Sequence, residues 1–258
     1  MNKTALITGA SSGIGLELAR VHARNGDNLV LVARNLSKLN ELKTALENQY
    51  KVQVYNIARD LSLRNSAQEV FDEIKQKNIE IDYLINNAGF GDFGMFTDAD
   101  WGKTEQMIDL NIHTLTHFTK LFAGEMVKRG NGKIMNVAST AAFQPGPTMA
   151  VYYATKAYVL HFSEAIDNEL REKGITVTAL CPGPTKSGFQ DAASLNESKL
   201  VKGKKLPSSG EVAEFGYKAM MKGKTVAIHG FMNYLMANMV RFSPRSVIVK
   251  VVRMMQDK

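Results

Sequence analysis

Seven short apolar runs recur along the chain, each followed by a stretch of helical period, and this alternation leaves little choice of fold. The runs are Lys3–Thr8, Asn28–Ala33, Val52–Ile57, Tyr83–Asn86, Lys133–Ala138, Thr176–Leu180 and Thr225–Ile228. Most are continuously apolar, as strands buried on both faces are. Between them, Leu36, Leu39, Leu42 and Leu46 fall at spacings of three and four and predict one buried stripe behind the second strand. Ala67, Val70, Phe71 and Ile74 predict the same behind the third. Strand and helix in rotation predict an α/β fold, a doubly wound parallel sheet of about seven strands with right-handed crossovers and helices on both faces. No linker-like shift in composition and no repeat divides the sequence. Residues 1–258 therefore read as one domain, ending in a helical tail over 231–258.

Charge and cysteine usage narrow the setting. Hydrophobic residues make up 45% and charged residues 22%, enough apolar material for a sizeable core. The lone cysteine, Cys181, has no internal disulfide partner, which points to a reducing compartment. No cationic segment followed by an apolar stretch precedes Thr4-Ala5-Leu6-Ile7, and no run is long enough to span a membrane, so a cytoplasmic location is expected. The net charge of +7 raises the question of nucleic acid. Its densest run, Lys199, Lys202, Lys204 and Lys205, has no stacking aromatics or binding motif beside it. That run reads as a solvated loop, and no nucleic-acid partner is expected.

The segment Thr8-Gly9-Ala10-Ser11-Ser12-Gly13-Ile14-Gly15 stands between the first strand and the first helix. Glycines there permit a tight turn and let backbone N–H groups approach a pyrophosphate at a helix N-terminus, where the dipole favours anions. Their spacing, G-x-x-x-G-x-G, departs from the G-x-G-x-x-G fingerprint of many dinucleotide sites, so the argument rests on position. The second strand ends in Ala33-Arg34 with no acidic residue to hold a ribose hydroxyl. A guanidinium there suits a 2′-phosphate, so NADP(H) is expected over NAD(H).

Tyr152 and Lys156 lie four apart on a helical stretch and so share a face. A free phenol titrates near 10, and a neighbouring ammonium is expected to lower it towards the working range. Ser139 follows the fifth strand, where it can donate to a substrate oxygen. Tyr153 has Ala157 four residues on and lacks that partner.

With these motifs in order, the chain resembles the short-chain dehydrogenase/reductase family in its compact, Rossmann-type form. The match covers Thr8–Gly15, Asp60-Leu61, Asn86-Asn87-Ala88-Gly89, Asn111, Ser139, Tyr152, Lys156 and Pro182-Gly183. The resemblance implies a nicotinamide-dependent oxidoreductase that interconverts a carbonyl and an alcohol. It implies Tyr152 as proton donor or acceptor, Ser139 as the residue that positions the carbonyl oxygen, Lys156 on the nicotinamide ribose, and Asn111 in a water-borne proton relay. Gly9, Ser11, Ser12, Gly13, Ile14 and Gly15 would hold the pyrophosphate end. Asp60 and Leu61 would sit near the adenine, and Asn87, Ala88 and Gly89 would line the groove. Pro182, Gly183, Thr185 and Ser187 belong to a segment that embraces the carboxamide, with Ser187 where Thr is more usual. The family further implies a homodimer or homotetramer.

The substrate is less legible. Phe90–Phe96, Phe143–Met149 and Phe189–Leu206 are rich in Phe, Met and Gly, which suggests a small apolar or elongated carbonyl compound. His113 and His117 have a metal-compatible spacing but no evident third ligand, and no metal is expected. Cys181 reads as core. In the tail, Met232, Leu235, Met236 and Met239 share one side of a first helix. Val247, Ile248, Val251, Val252 and Met255 share one side of a second, with Ser243-Pro244 predicted as its cap and first residue. Packing on protein is favoured there over attachment to a membrane surface.

Overall fold

The computed structural model describes residues 2–187 and 206–256. Its strands are β1 (Thr4–Thr8), β2 (Asn28–Ala33), β3 (Val54–Ala58), β4 (Tyr83–Asn86), β5 (Gly132–Val137), β6 (Ile175–Cys181) and β7 (Val226–Ile228). They form one parallel sheet in the order β3-β2-β1-β4-β5-β6-β7. Each strand lies within two residues of its sequence reading at either end, because a continuous apolar run has only one environment that suits both its faces. Leu6 packs into a cluster with Val30, Leu84, Phe118 and Ile134, while its neighbour Ile7 packs oppositely with Leu31, Leu39, Met135 and Val212.

The helices are α1 (Gly13–Arg24), α2 (Leu36–Tyr50), α3 (Ser66–Gln76), α4 (Trp101–Ile108), α5 (Leu115–Arg129), α6 (Ala150–Arg171), α7 (Ser209–Met221), α8 (Phe231–Met239) and α9 (Arg245–Gln256). Local chemistry sets several starts. Asn35 caps α2 by accepting Lys38 N–H at 3.0 Å, and Asp100 caps α4 by accepting Lys103 N–H at 2.7 Å. Ser208 and Glu211 form a capping box at α7. The α2 stripe needs one correction: Leu39, Leu42 and Leu46 are buried, but Leu36 opens the helix before it reaches the sheet and is exposed.

A π-helical turn, Asp109–Thr114, joins α4 to α5 and carries both Asn111 and His113. In the tail, the helix boundary falls at Ser243-Pro244, but Ser243 does not cap α9. Its hydroxyl donates back to the Met239 carbonyl at 3.3 Å, and the Pro244 carbonyl accepts the Val247 and Ile248 amides. No helix among the described residues is long and apolar enough to cross a membrane.

The sheet order reverses between β1 and β4, since β2 and β3 extend one way and β5 to β7 the other. Loops diverge there at the carboxyl strand ends and leave a crevice.

Candidate active site

The crevice is a cleft of about 1320 Å³, and it gathers almost every residue singled out from the sequence. At one end the glycine loop closes against the β4 exit. Thr8 Oγ1 accepts the N–H groups of Asn87 and Ala88, each at 3.0 Å, and Asn87 Nδ2 donates to Thr8 O at 2.9 Å. Gly9 has φ +67°, and a Cβ there would sit 2.8 Å from Asn87 Nδ2. A Cβ on Gly15 would sit against both Asn87 Nδ2 and the Gly9 carbonyl. Only hydrogen fits at either position, so the backbone remains open to a bulky anion. Gly13 begins α1 with φ +56°, and Ser11, Ser12 and Ile14 complete the cradle. The residues therefore fit a dinucleotide pyrophosphate. Thr8 opens the motif in the sequence, but its role as an anchor of the turn shows only in these hydrogen bonds.

Farther along, Arg34, Lys38 and Arg59 line the same end of the cleft. Lys38 and Arg59 were missed; they enter from α2 and from just past β3, which the sheet brings together but the sequence separates. Arg59 is paired to Glu69 at 2.9 Å. Asp60 lies beside them. Burial pushes its carboxyl up, but the Ser62 amide at 3.0 Å, the Ser62 hydroxyl at 2.8 Å and the Arg34 charge outweigh that and hold it below the usual carboxylate range. Leu61 follows, its carbonyl accepting the Thr114 hydroxyl at 2.8 Å.

At the other end Ser139, Tyr152 and Lys156 converge. Ser139 follows β5 and caps a short 3-10 turn by accepting the Ala141 N–H at 3.1 Å. It also hydrogen-bonds the Tyr152 phenol. Lys156 Nζ donates to the Val137 carbonyl at 2.7 Å and lies 5.8 Å from the centre of the Tyr152 ring. Asn111, on the π-turn, is buried and does not itself line the cleft. Its Oδ1 accepts Phe90 N–H at 3.2 Å, and its Nδ2 donates to Phe90 O at 3.0 Å and Thr155 Oγ1 at 3.1 Å. A Cβ on Gly89 would meet Asn111 Oδ1 at 2.9 Å, so that glycine is required by close approach. Pro182, Gly183, Thr185 and Ser187 line the cleft between the cradle and Ser139.

One electrostatic expectation is overturned. Burial pushes the Tyr152 phenol well above its ordinary range, and neither the opposing Ser139 hydrogen bond nor the nearby ammonium reverses that. The same burial lowers Lys156 to about 8. Cys181, at the end of β6, is fully buried, and burial raises its thiol to about 12. His113 and His117 face each other with ring centres 6.0 Å apart. Among the described residues no group of three or more His, Cys, Asp and Glu is arranged to hold a metal ion.

The substrate segments read from the sequence account for part of the cleft. Phe90, Gln144, Met149 and Leu206 line it, while residues 189–205 lie outside the described residues, as does the lysine run from Lys199 to Lys205. The larger apolar wall was not foreseen. It comes from the tail: Met232, Met236 and Met239 on α8, and Val247, Ile248, Val251, Val252 and Met255 on α9. Ile248 and Val252 pack on Met149, Tyr152 and Tyr153. Periodicity shows that a helix has an apolar face, not that the face borders a cavity.

Comparison with known proteins agrees with this geometry. The short chain dehydrogenase family matches residues 3–198. A very-long-chain 3-oxoacyl-CoA reductase-B of Danio rerio is 34% identical over 189 residues, covering 70% of this chain and 59% of that protein. Among solved structures, a short-chain dehydrogenase from Sphingobium yanoikuyae in complex with NADPH superposes with a TM-score of 0.83 at 32% identity, covering 93% of this chain and 94% of that one. A bulky-bulky ketone specific alcohol dehydrogenase from Comamonas testosteroni gives 0.79 at 31% identity, covering 93% and 92%. With the sheet order, the glycine cradle and the Ser139–Tyr152–Lys156 cluster in one cleft, the chain belongs to the short-chain dehydrogenase/reductase family and is an oxidoreductase acting on CH–OH groups.

Proposed function

We propose that this enzyme uses NADPH to reduce the carbonyl of an apolar, elongated substrate to an alcohol. The observation that carries the reading is the meeting of Ser139, Tyr152 and Lys156 at the junction between a dinucleotide cradle and an apolar wall. When bound, the reduced nicotinamide supplies the hydride.

The rest of the chemistry belongs to the chain. Ser139 hydrogen-bonds the carbonyl oxygen and holds it next to the phenol. Tyr152, kept protonated by burial, donates its proton to that oxygen as negative charge develops there. Lys156 holds the nicotinamide ribose and presents positive charge beside the phenolate left behind. Asn111, anchored on both polar groups of Phe90, fixes the π-turn near Lys156 and supports the return of a proton through water. The tail wall excludes bulk water from the reacting centre.

NADP(H) preference is supported by Arg34, with Lys38 and Arg59 lining the same end and no acid at Ala33. The test is a panel of ketones offered with NADPH and with NADH, followed by loss of reduced-nicotinamide absorbance. NADPH is expected to be the better donor, and Arg34→Ala should weaken NADPH about ten- to a hundredfold while moving NADH little, as for a lost charge-assisted contact. Equal losses for both donors would remove the 2′-phosphate reading.

A further inference from the structure

The end of α9 is tied to the active helix by a buried polar contact that the proposed chemistry does not use. Gln256 is fully buried although it ends the last helix. Its Nε2 donates to the Tyr153 hydroxyl at 2.6 Å, and its Oε1 lies 3.2 Å from the Thr148 hydroxyl as the longer of two acceptors, the Pro147 carbonyl being the nearer at 2.5 Å. A buried carboxamide is retained where its hydrogen bonds matter, since an apolar residue would pack there at no desolvation cost.

Two further features converge on the same spot. Thr148 is β-branched yet held at φ +66°, a conformation that persists only when its surroundings enforce it. Here the Thr148 carbonyl also accepts the Gly94 N–H at 2.9 Å, so the residue is held at both ends. A Cβ on Gly146 would overlap the Tyr153 ring, so that loop lies flat against the tyrosine. Tyr153 in turn contacts Tyr152 edge-on, with ring centres 6.1 Å apart. The clamp thus joins three things: the loop before α6, the residue beside Tyr152, and the far end of the tail wall.

Gln256 ends the same helix whose Ile248 and Val252 pack against Tyr152 and Tyr153, so its contacts fix where that wall sits beside the catalytic tyrosine. Along α9, the cleft-facing residues from Val247 to Met255 form a strip about 12 Å long at the helical rise. Such a strip suits an extended alkyl chain. It offers no charged group, since Lys250 and Arg253 do not line the cleft.

We propose that Tyr153 and Gln256, with Thr148, are the specificity-determining clamp of this enzyme, holding α9 at the distance from Tyr152 that grips an unbranched alkyl chain on the substrate carbonyl. This rests on the carbonyl reduction proposed above.

The experiment uses the full-length protein, NADPH and a homologous series of straight-chain methyl ketones from butanone upward. For the intact enzyme, kcat/KM is expected to rise about fourfold per added methylene, the value of transferring each from water to an apolar wall. The rise ends where the chain outruns the strip. Gln256→Met keeps the shape and removes both hydrogen bonds. It should leave butanone turnover within about twofold while cutting the gain per methylene to less than about twofold, with the loss appearing in KM. Tyr153→Phe should flatten the slope similarly. The double variant should be no flatter than either single one, as for residues acting through one shared contact.

Each failure points elsewhere. Slopes equal to that of the intact enzyme in both variants would overturn the clamp. An equal fall in kcat/KM for every ketone, with the slope kept, would mean that Gln256 matters only for stability, which also overturns it. If the intact enzyme reduces no ketone with either nicotinamide, the proposed function itself fails, and the clamp fails with it.

Discussion

Two buried titratable groups, four residues apart, are shifted by the same cause in ways that complement each other. Burial raises the Tyr152 phenol and lowers the Lys156 ammonium to about 8. Carbonyl reduction needs the phenol protonated, and it stays so through the working range. Lys156 behaves oppositely: its charge is present below about pH 8 and is lost as pH rises through that value. The profile of kcat/KM for reduction, which reports the free enzyme, should therefore be level below about pH 8 and fall above it with a slope set by one proton. The limb belongs to Lys156 and not to the phenol. Lys156→Met should be slow and lack the limb; a limb that survives in it would reassign the titration. Tyr152→Phe should lose about two or more orders of magnitude in turnover yet bind NADPH nearly as before. Tyr153→Phe should remain active on butanone, which separates the two adjacent rings. That Ser139, Tyr152 and Lys156 would meet in one cleft was legible because spacing on a helix and order along the chain are sequence properties. The direction of the Tyr152 shift was not, because it depends on how much water the folded cleft leaves around the ring.

At the level of elements, the glycine cradle shows which sequence signals carry over into structure. Gly15 lies inside the first turns of α1, where an alanine would ordinarily favour the helix, but its neighbours leave no room. Gly15→Ala should lower stability by roughly 1–3 kcal/mol through overpacking and abolish measurable NADPH binding, because the Gly9 carbonyl or Asn87 must move. Gly124, within α5, is exposed and has nothing within 4 Å of a Cβ. There Gly124→Ala should raise stability by about 0.5–1 kcal/mol on propensity alone. Thermal melts with and without NADPH read both, and a stabilised Gly15→Ala would contradict the packing described. The strands and this loop were readable because buried parallel strands and tight turns constrain residue type locally. The π-turn at Asp109–Thr114 was not, since its widened register depends on Asn111 meeting Phe90 and Thr155 from other parts of the chain. Likewise Arg34 could be singled out beside its strand, whereas Lys38 and Arg59 acquire meaning only once β2 and β3 lie side by side.

For the whole molecule, the proposed function divides the labour between a sheet that would carry the cofactor and a tail that would wall the substrate end of the cleft. The two clusters flanking the sheet contain no residue beyond Ala227, whereas the cluster around Tyr152 and Tyr153 draws Ile248 and Val252 from α9. Sequence periodicity marked the tail as apolar and favoured packing on protein. It did not reveal that Met232, Met236, Val247 and Val251 face a cavity, because an apolar stripe looks the same against a core or against a substrate. Phe231, Tyr234 and Phe242 remain exposed on the described chain. Deleting residues 231–258 should therefore leave a folded protein that has lost roughly 3–6 kcal/mol, the burial of two or so large aliphatic side chains. Its NADPH affinity should fall by less than about tenfold, since the Gly9–Gly15 cradle, Arg34 and Asn87 make no use of the tail and only Gly183, packed against Asn233, does. Reduction of a long straight-chain ketone should collapse towards the rate for butanone, and the gain per methylene should vanish. Cofactor titration by fluorescence and the ketone series on the same preparation separate the two effects. Loss of NADPH binding in step with loss of long-chain turnover would make the tail part of the cofactor fold and not a substrate wall.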